Sequence, residues 1–114
     1  VSTHRKARGM RTQLLVAQYL AANGWPHAES TGSGRSGVDV LGTPGLAFEV
    51  KARSDLNPLA WVKQAEQNPG LPVAVFRPNG MGEHPDQFIA FLRLSDLTAL
   101  LRAAGYGTEP EEQG

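Results

Sequence analysis

Two short apolar runs, residues 37–41 and 46–51, stand on either side of Gly42-Thr43-Pro44-Gly45, and each run carries an acid: Asp39 in the first, Glu49 in the second. Gly and Pro at this density mark a turn, so the two runs are expected to be neighbouring strands of a hairpin. Side chains of a strand alternate between its faces. Leu46, Phe48 and Val50 therefore share one face, and Glu49 and Lys51 share the other. Register decides whether Asp39 joins them. A four-residue loop sets Asp39 opposite Phe48 and parts the two carboxylates. A five-residue loop or a bulge sets it opposite Glu49 and brings them together.

A strand that is apolar on one face and carries a carboxylate and an ammonium on the other has two chemical readings. The first is a surface ion pair, which contributes only about 0.2–1 kcal/mol across strands. The second is a hard-cation site. Mg²⁺ takes oxygen ligands, usually one or two carboxylates together with substrate phosphates, and a neighbouring lysine can orient or activate a water. That combination suits metal-assisted cleavage of a phosphodiester.

The remaining pattern places these runs inside an α/β domain. Apolar residues Met10, Leu14, Ala17 and Ala21 form a helical stripe from about Arg5 to Asn23, flanked by Leu15 and Leu20 and stopped by Asn23-Gly24. A short strand is expected near 26–30, followed by a Gly/Ser loop over 31–37 whose amides and Arg35 could meet a phosphate. After the hairpin, Ser54 or Asn57 caps a helix to about Gln67, and Asn68-Pro69-Gly70 ends it. Strands are expected at 71–77 and 87–92, and a last helix at 97–104 behind Ser95-Asp96. The expected order is α-β-β-β-α-β-β-α, a mixed sheet flanked by helices. Residues 1–106 would form a single domain, and 107–114 an acidic, disordered tail. Trp25 and Trp61 suit core or dimer-interface packing and Tyr19 suits core packing, while His27 and His84 suit structural or exposed positions.

Composition narrows the function classes. A chain of 114 residues holds one domain with a real core but no separate recognition domain. It has no cysteine, so disulfides and thiolate zinc sites are excluded, and its three histidines lack helical metal-ligand spacing. No apolar run approaches a membrane span, and a soluble, cytoplasmic protein is expected. The formal net charge is zero, but three of the eleven acids, Glu109, Glu111 and Glu112, lie in the tail. Without them eleven basic side chains face eight acids. Arg5, Lys6, Arg8 and Arg11 cluster in a segment free of acids, as suits either phosphate contacts or a solvated helix face.

Taken together, the basic first helix, the Gly/Ser loop, Asp39, the Glu49-Val50-Lys51 triplet, the following helix and the next apolar strand resemble the PD-(D/E)XK nuclease superfamily. Within it they resemble the small Holliday junction resolvases of archaeal and phage type. The likeness extends to about residue 95 and implies a restriction-endonuclease-like fold. It further implies that Asp39, Glu49 and the Val50 carbonyl hold Mg²⁺, with Mn²⁺ as a substitute, and that Lys51 is catalytic. Ser33 resembles a loop serine near the scissile phosphate. Gln64 stands where relatives carry a helix glutamine, and Arg5, Lys6, Arg8, Arg11, Arg35 and Arg53 would contact DNA. Two positions depart from the pattern. Val38-Asp39 replaces Pro-Asp, and Gln13 stands where many resolvases have a metal-assisting glutamate, with Glu29 as a substitute from the first strand.

The resemblance implies a homodimeric endonuclease that nicks branched double-stranded DNA, most simply a four-way junction. The same motifs fit a restriction-like or flap nuclease, and Gln13 fits a non-catalytic DNA-binding module.

Overall fold

The computed structural model describes residues 2–32 and 37–108. Ser33 and Arg35, and the tail from Glu109, lie outside the described residues. The elements are α1 (Ser2–Ala22), β1 (Glu29–Ser30), β2 (Val40–Leu41), β3 (Leu46–Arg53), α2 (Pro58–Ala65), β4 (Leu71–Pro78), β5 (Ile89–Phe91) and α3 (Leu94–Ala103), with a 3₁₀ turn at Pro85–Gln87. This is an α/β fold with a mixed sheet flanked by helices.

The sheet order is β3-β4-β5, with β3 and β4 parallel and β5 antiparallel to β4. Parallel neighbours need a crossover rather than a tight turn, and α2 supplies it. The register sets Phe48 beside Val73 and Val50 beside Val75, while Glu49 lies beside Ala74 and Lys51 beside Phe76. Two cores follow from this alternation. Phe48 and Val50 pack with Val16, Ala17 and Leu20 of α1 and with Val40. On the other face Ala74 and Phe76 pack with Trp61 and Val62 of α2, where the Trp61 and Phe76 rings lie 5.0 Å apart.

The expected hairpin does not form. β2 pairs with β1, with Glu29 opposite Leu41 and Ser30 opposite Val40, and β3 gives its ladder to β4. Two residues of β2 and a bend at Asp39 leave one backbone bond, from the Asp39 N–H to the Phe48 carbonyl at 3.1 Å, where a hairpin ladder would run.

The stripe of α1 is also rotated from the expected one. Met10 and Leu14 are exposed, whereas Thr12, Leu15, Val16, Ala17 and Leu20 are buried. Tyr19 is exposed too, so it is not a core residue. The rotation brings Thr12 against a cation. Arg77, itself buried, donates from Nη1 to Thr12 Oγ1 at 3.1 Å and from Nε to the Met81 carbonyl at 3.2 Å, and its guanidinium lies 5.8 Å from the Phe88 ring centre. Thr12 in turn donates to the Arg8 carbonyl, and Arg8 Nη2 donates to the Pro78 carbonyl at 2.8 Å. These bonds clamp the first half of α1 onto the end of β4.

Two helix boundaries differ from the expected ones. α2 stops at Ala65, and α3 begins three residues early, behind Arg93, whose guanidinium makes a bidentate pair with Glu66. That pair anchors the start of α3 to the end of α2, which explains why Ser95 and Asp96 fall inside the helix rather than before it.

Gly42 holds the β2–β3 turn at φ +78°, and a Cβ there would collide with the His27 backbone carbonyl. The carbonyl belongs to backbone and cannot swing aside as a side chain could. Gly42→Ala is expected to lower stability by about 1–3 kcal/mol from strain alone, with the clash adding to it. Urea unfolding followed by Trp fluorescence would read the shift.

Candidate nucleolytic site and cationic cleft

Asp39 is held by four hydrogen bonds, three of them through its backbone. Its N–H donates to Phe48, and its carbonyl accepts from the Thr31 N–H at 3.1 Å and from Thr31 Oγ1 at 3.3 Å. The fourth is the side chain: Oδ2 accepts the Val50 N–H at 2.7 Å. The carboxylate thus takes the place of the missing ladder on the free edge of β3. In backbone terms Asp39 is aligned with Phe48, the arrangement expected to part the acids. Its side chain nevertheless reaches along the edge to the Glu49 carboxyl, close enough for its charge to act on it. The acids meet by side-chain reach rather than by register.

Glu49 is buried, at 4% exposure, in the middle of a strand covered on both faces. Its Oε2 lies 3.3 Å from Lys51 Nζ, which is itself largely covered. Burial is the main cause that lifts the Glu49 carboxyl to about 7. The Asp39 charge adds to the rise, and Lys51 opposes it. A carboxyl raised in this way is held protonated at mildly acid pH. Such perturbation is common where carboxylates do chemistry, and less so in plain structural pairs.

Lys51 also lines a cleft of about 610 Å³ between the first turns of α1 and the outgoing end of β3. Arg5, Lys6 and Arg8 form one wall; Val50, Lys51 and Arg53 form the other, with Asp55 and Asn79 at the rim. Five cations therefore converge against one acid. Arg8 Nε is buried without a hydrogen-bond partner. A second concavity, beside β2 and lined by Val38, Val40, Leu41, Leu46 and Pro69, carries no titratable side chain. Of the two, only the cationic cleft offers chemistry.

The other candidate residues are placed as follows. Arg11 is outside the cleft and makes a bidentate pair with Glu83, with Nη2 2.8 Å from Oε1. The half-buried Gln13 accepts a 3.2 Å hydrogen bond from Ser30 Oγ through its Oε1, and Ser30 Oγ accepts the Gly32 N–H. Gln64 is exposed on α2, and Glu29 is exposed on β1. The structure also reveals Thr12 and Arg77, which orient the Arg8 wall. Sequence offered no signal for either, since a threonine inside a helix and an arginine at a strand end are ordinary surface residues until packing buries them.

Among the described residues no group of three or more His, Cys, Asp or Glu side chains converges. The donor set present is two carboxylates in contact, with the Val50 backbone beside them at the cleft edge. That set matches the protein share of a Mg²⁺ site, which leaves the other positions to water and phosphate oxygens. Comparison with family models, with curated proteins and with solved structures gives no match in any of the three. Among the described residues no helix is long and apolar enough to cross a membrane.

The raised Glu49 carboxyl makes stability depend on pH. In the unfolded chain it ionises near 4.5, and in the folded chain near 7. Between those values the folded state holds the extra proton, so the stabilisation present below 4.5 is lost as pH rises to 7. Glu49→Gln removes that loss. Its stability should match wild type at pH 5 and exceed it at pH 8 by on the order of 1–3 kcal/mol. Urea titrations at the two pH values would measure the difference.

Proposed function

We propose that this chain is a metal-dependent endonuclease of the PD-(D/E)XK kind acting on branched DNA. One observation carries the reading: Lys51 belongs at once to the buried acid pair and to the cationic cleft. A phosphodiester drawn into the cleft by Arg5, Lys6, Arg8 and Arg53 would therefore arrive beside the two carboxylates.

Asp39 and Glu49 would hold Mg²⁺, with the Val50 carbonyl as a backbone donor. When bound, the metal supplies Lewis-acid polarisation of the phosphate. The chain's own residues supply the rest. The Val50 N–H orients Asp39, burial keeps competing water from Glu49, and Lys51 positions the attacking water and offsets charge growing on the phosphate. Because Glu49 takes up a proton near 7, proton and metal compete for the same oxygens, and metal affinity falls below neutral pH. With one small domain, selectivity would rest on DNA shape and backbone contacts rather than base edges. Paired nicks across a junction call for two copies of the site, hence a homodimer.

A DNA-binding module without cleavage is a second reading, favoured by one observation. The position where resolvases carry a helix glutamate is Gln13, whose side-chain oxygen is engaged by Ser30. Titration calorimetry with Mn²⁺ separates the two: heat of binding that disappears in Asp39→Ala supports the nuclease, and no heat in wild type supports the module.

With Mg²⁺ and a synthetic four-way junction, beside matched duplex and flap, wild type is expected to cut the junction preferentially. Asp39→Ala and Glu49→Ala should bind the junction yet cut it at least about 100-fold more slowly, the scale of losing a group that acts on the transition state. Retained cleavage in either variant would refute the assignment. Replacing both Arg5 and Lys6 by Ala should flatten the plot of log affinity against log salt by about 2 units of slope, uniformly across sequences. Filter binding over a salt series reads this directly, and an unchanged slope would remove the cleft from the interface.

A further inference from the structure

The basic flank of α1 does not end at the cleft. Arg11 stands one helical turn beyond Arg8, three residues on, and so on the same side of the helix. Its guanidinium is already engaged: the two carboxylate oxygens of Glu83 accept from Arg11 Nε at 2.9 Å and from Nη2 at 2.8 Å. This two-point fork is also the geometry by which a guanidinium grips a phosphate. The hydrogen bonds from Arg11 hold the Glu83 carboxyl below its usual value, so it is an anion at neutral pH. Arg8, Arg11 and Glu83 all act on the charge of the buried Arg77. Among the described residues, three cations therefore gather around one acid on this side of α1.

Glu83 rides on residues 79–84, which join β4 to the 3₁₀ turn. That segment starts at the cleft, where Asn79 lines the rim and its N–H donates to the Arg53 carbonyl at 3.2 Å. It is tied again at Met81, whose carbonyl accepts Arg77 Nε. The segment thus has anchors of its own and does not need Arg11 to hold it. The pair itself is open to solvent, with both side chains 47% exposed. Ion pairs in such places are screened and only weakly stabilising.

We propose that Glu83 stands in for a nucleic-acid phosphate: it occupies Arg11 in the free protein, and a DNA strand running from the cleft along α1 displaces it and takes Arg11 as a further phosphate contact. The inference deepens the proposed function and rests on it, since it needs DNA in the cleft. Exchanging one oxyanion for another keeps both hydrogen bonds of Arg11, and the released carboxylate is hydrated at the surface, so the exchange costs little. A ligand confined to the cleft leaves the pair closed and gains nothing from Arg11. A longer backbone gains one contact, and Glu83 sets how much that contact adds.

Filter binding of the synthetic four-way junction over a salt series, with wild type, Arg11→Gln, Glu83→Gln and the double variant, tests the exchange. Arg11→Gln is expected to flatten the plot of log affinity against log salt by about 1 unit of slope, the loss of one phosphate contact. Glu83→Gln should bind about 2–5-fold tighter, the fold-change that corresponds to releasing an exposed ion pair. The double variant should bind no tighter than Arg11→Gln alone. Urea midpoints of all four should stay close together, because the anchors at Asn79 and Met81 remain. An unchanged slope in Arg11→Gln would overturn the proposal, and with a fall in stability it would mark a purely structural pair. A Glu83→Gln gain that persists without Arg11 would also overturn it, as simple repulsion between an acid and DNA. Those outcomes leave junction binding, and with it the proposed function, standing. A wild type whose junction binding does not depend on salt would remove both.

Discussion

Strand β3 is buried on both faces, by α1 on one side and α2 on the other, and its charged residues must therefore be answered from within the protein. Glu49 at its centre would cost several kcal/mol as an isolated ion in such a place. Two things meet that cost, against the neighbouring Asp39 charge that adds to it: Lys51 two residues along, and a proton that stays bound until about pH 7. Asp39 in turn is placed by the Val50 N–H on the free edge of the same strand. The acid pair, the lysine and the edge bond form one unit, and removing any member leaves a buried polar group without its partner.

The cleft depends on the same strand at its outgoing end. There β3 leaves the sheet with Lys51 and Arg53, while the Thr12–Arg77 and Arg8–Pro78 bonds hold α1 close enough to bring Arg5, Lys6 and Arg8 opposite them. Arg77 illustrates how such a clamp works. Buried, and with burial and Arg8 both pushing its proton affinity down, it is tolerated because a hydroxyl, a carbonyl and an aromatic face satisfy it. The basic wall is thus fixed in position, not a loose cluster of surface arginines.

Much of this was legible before any coordinates. Helix α1, the crossover helix, and strands β3 and β4 follow from periodicity and from Gly and Pro punctuation, because long strongly patterned elements carry their own signal. Alternation along 46–51 placed Glu49 and Lys51 on one face, and they are there. Short elements were not legible. β2 has only two paired residues, too few to carry a signal of their own, and they pair with β1 rather than β3. The buried stripe of α1 was misplaced by a fraction of a turn, since Thr12 became buried only because Arg77 needed it. The last helix was expected from its cap and period, but not that its leucines stay exposed.

The sequence alone determined the residue types and their spacing along the chain: a carboxylate and an ammonium two apart on an apolar strand, a second acid just before the turn, and a run of bases at the front of a helix. These are local properties, governed by strand alternation and helix period. Tertiary structure decided whether they meet. Asp39 reaches Glu49 because an unpaired Val50 N–H on the edge of β3 draws its side chain there. The bases face Lys51 because a buried arginine clamps α1 to β4. Both results depend on partners 11 to 70 residues away, and contacts at that range follow from how elements pack, which no local pattern encodes.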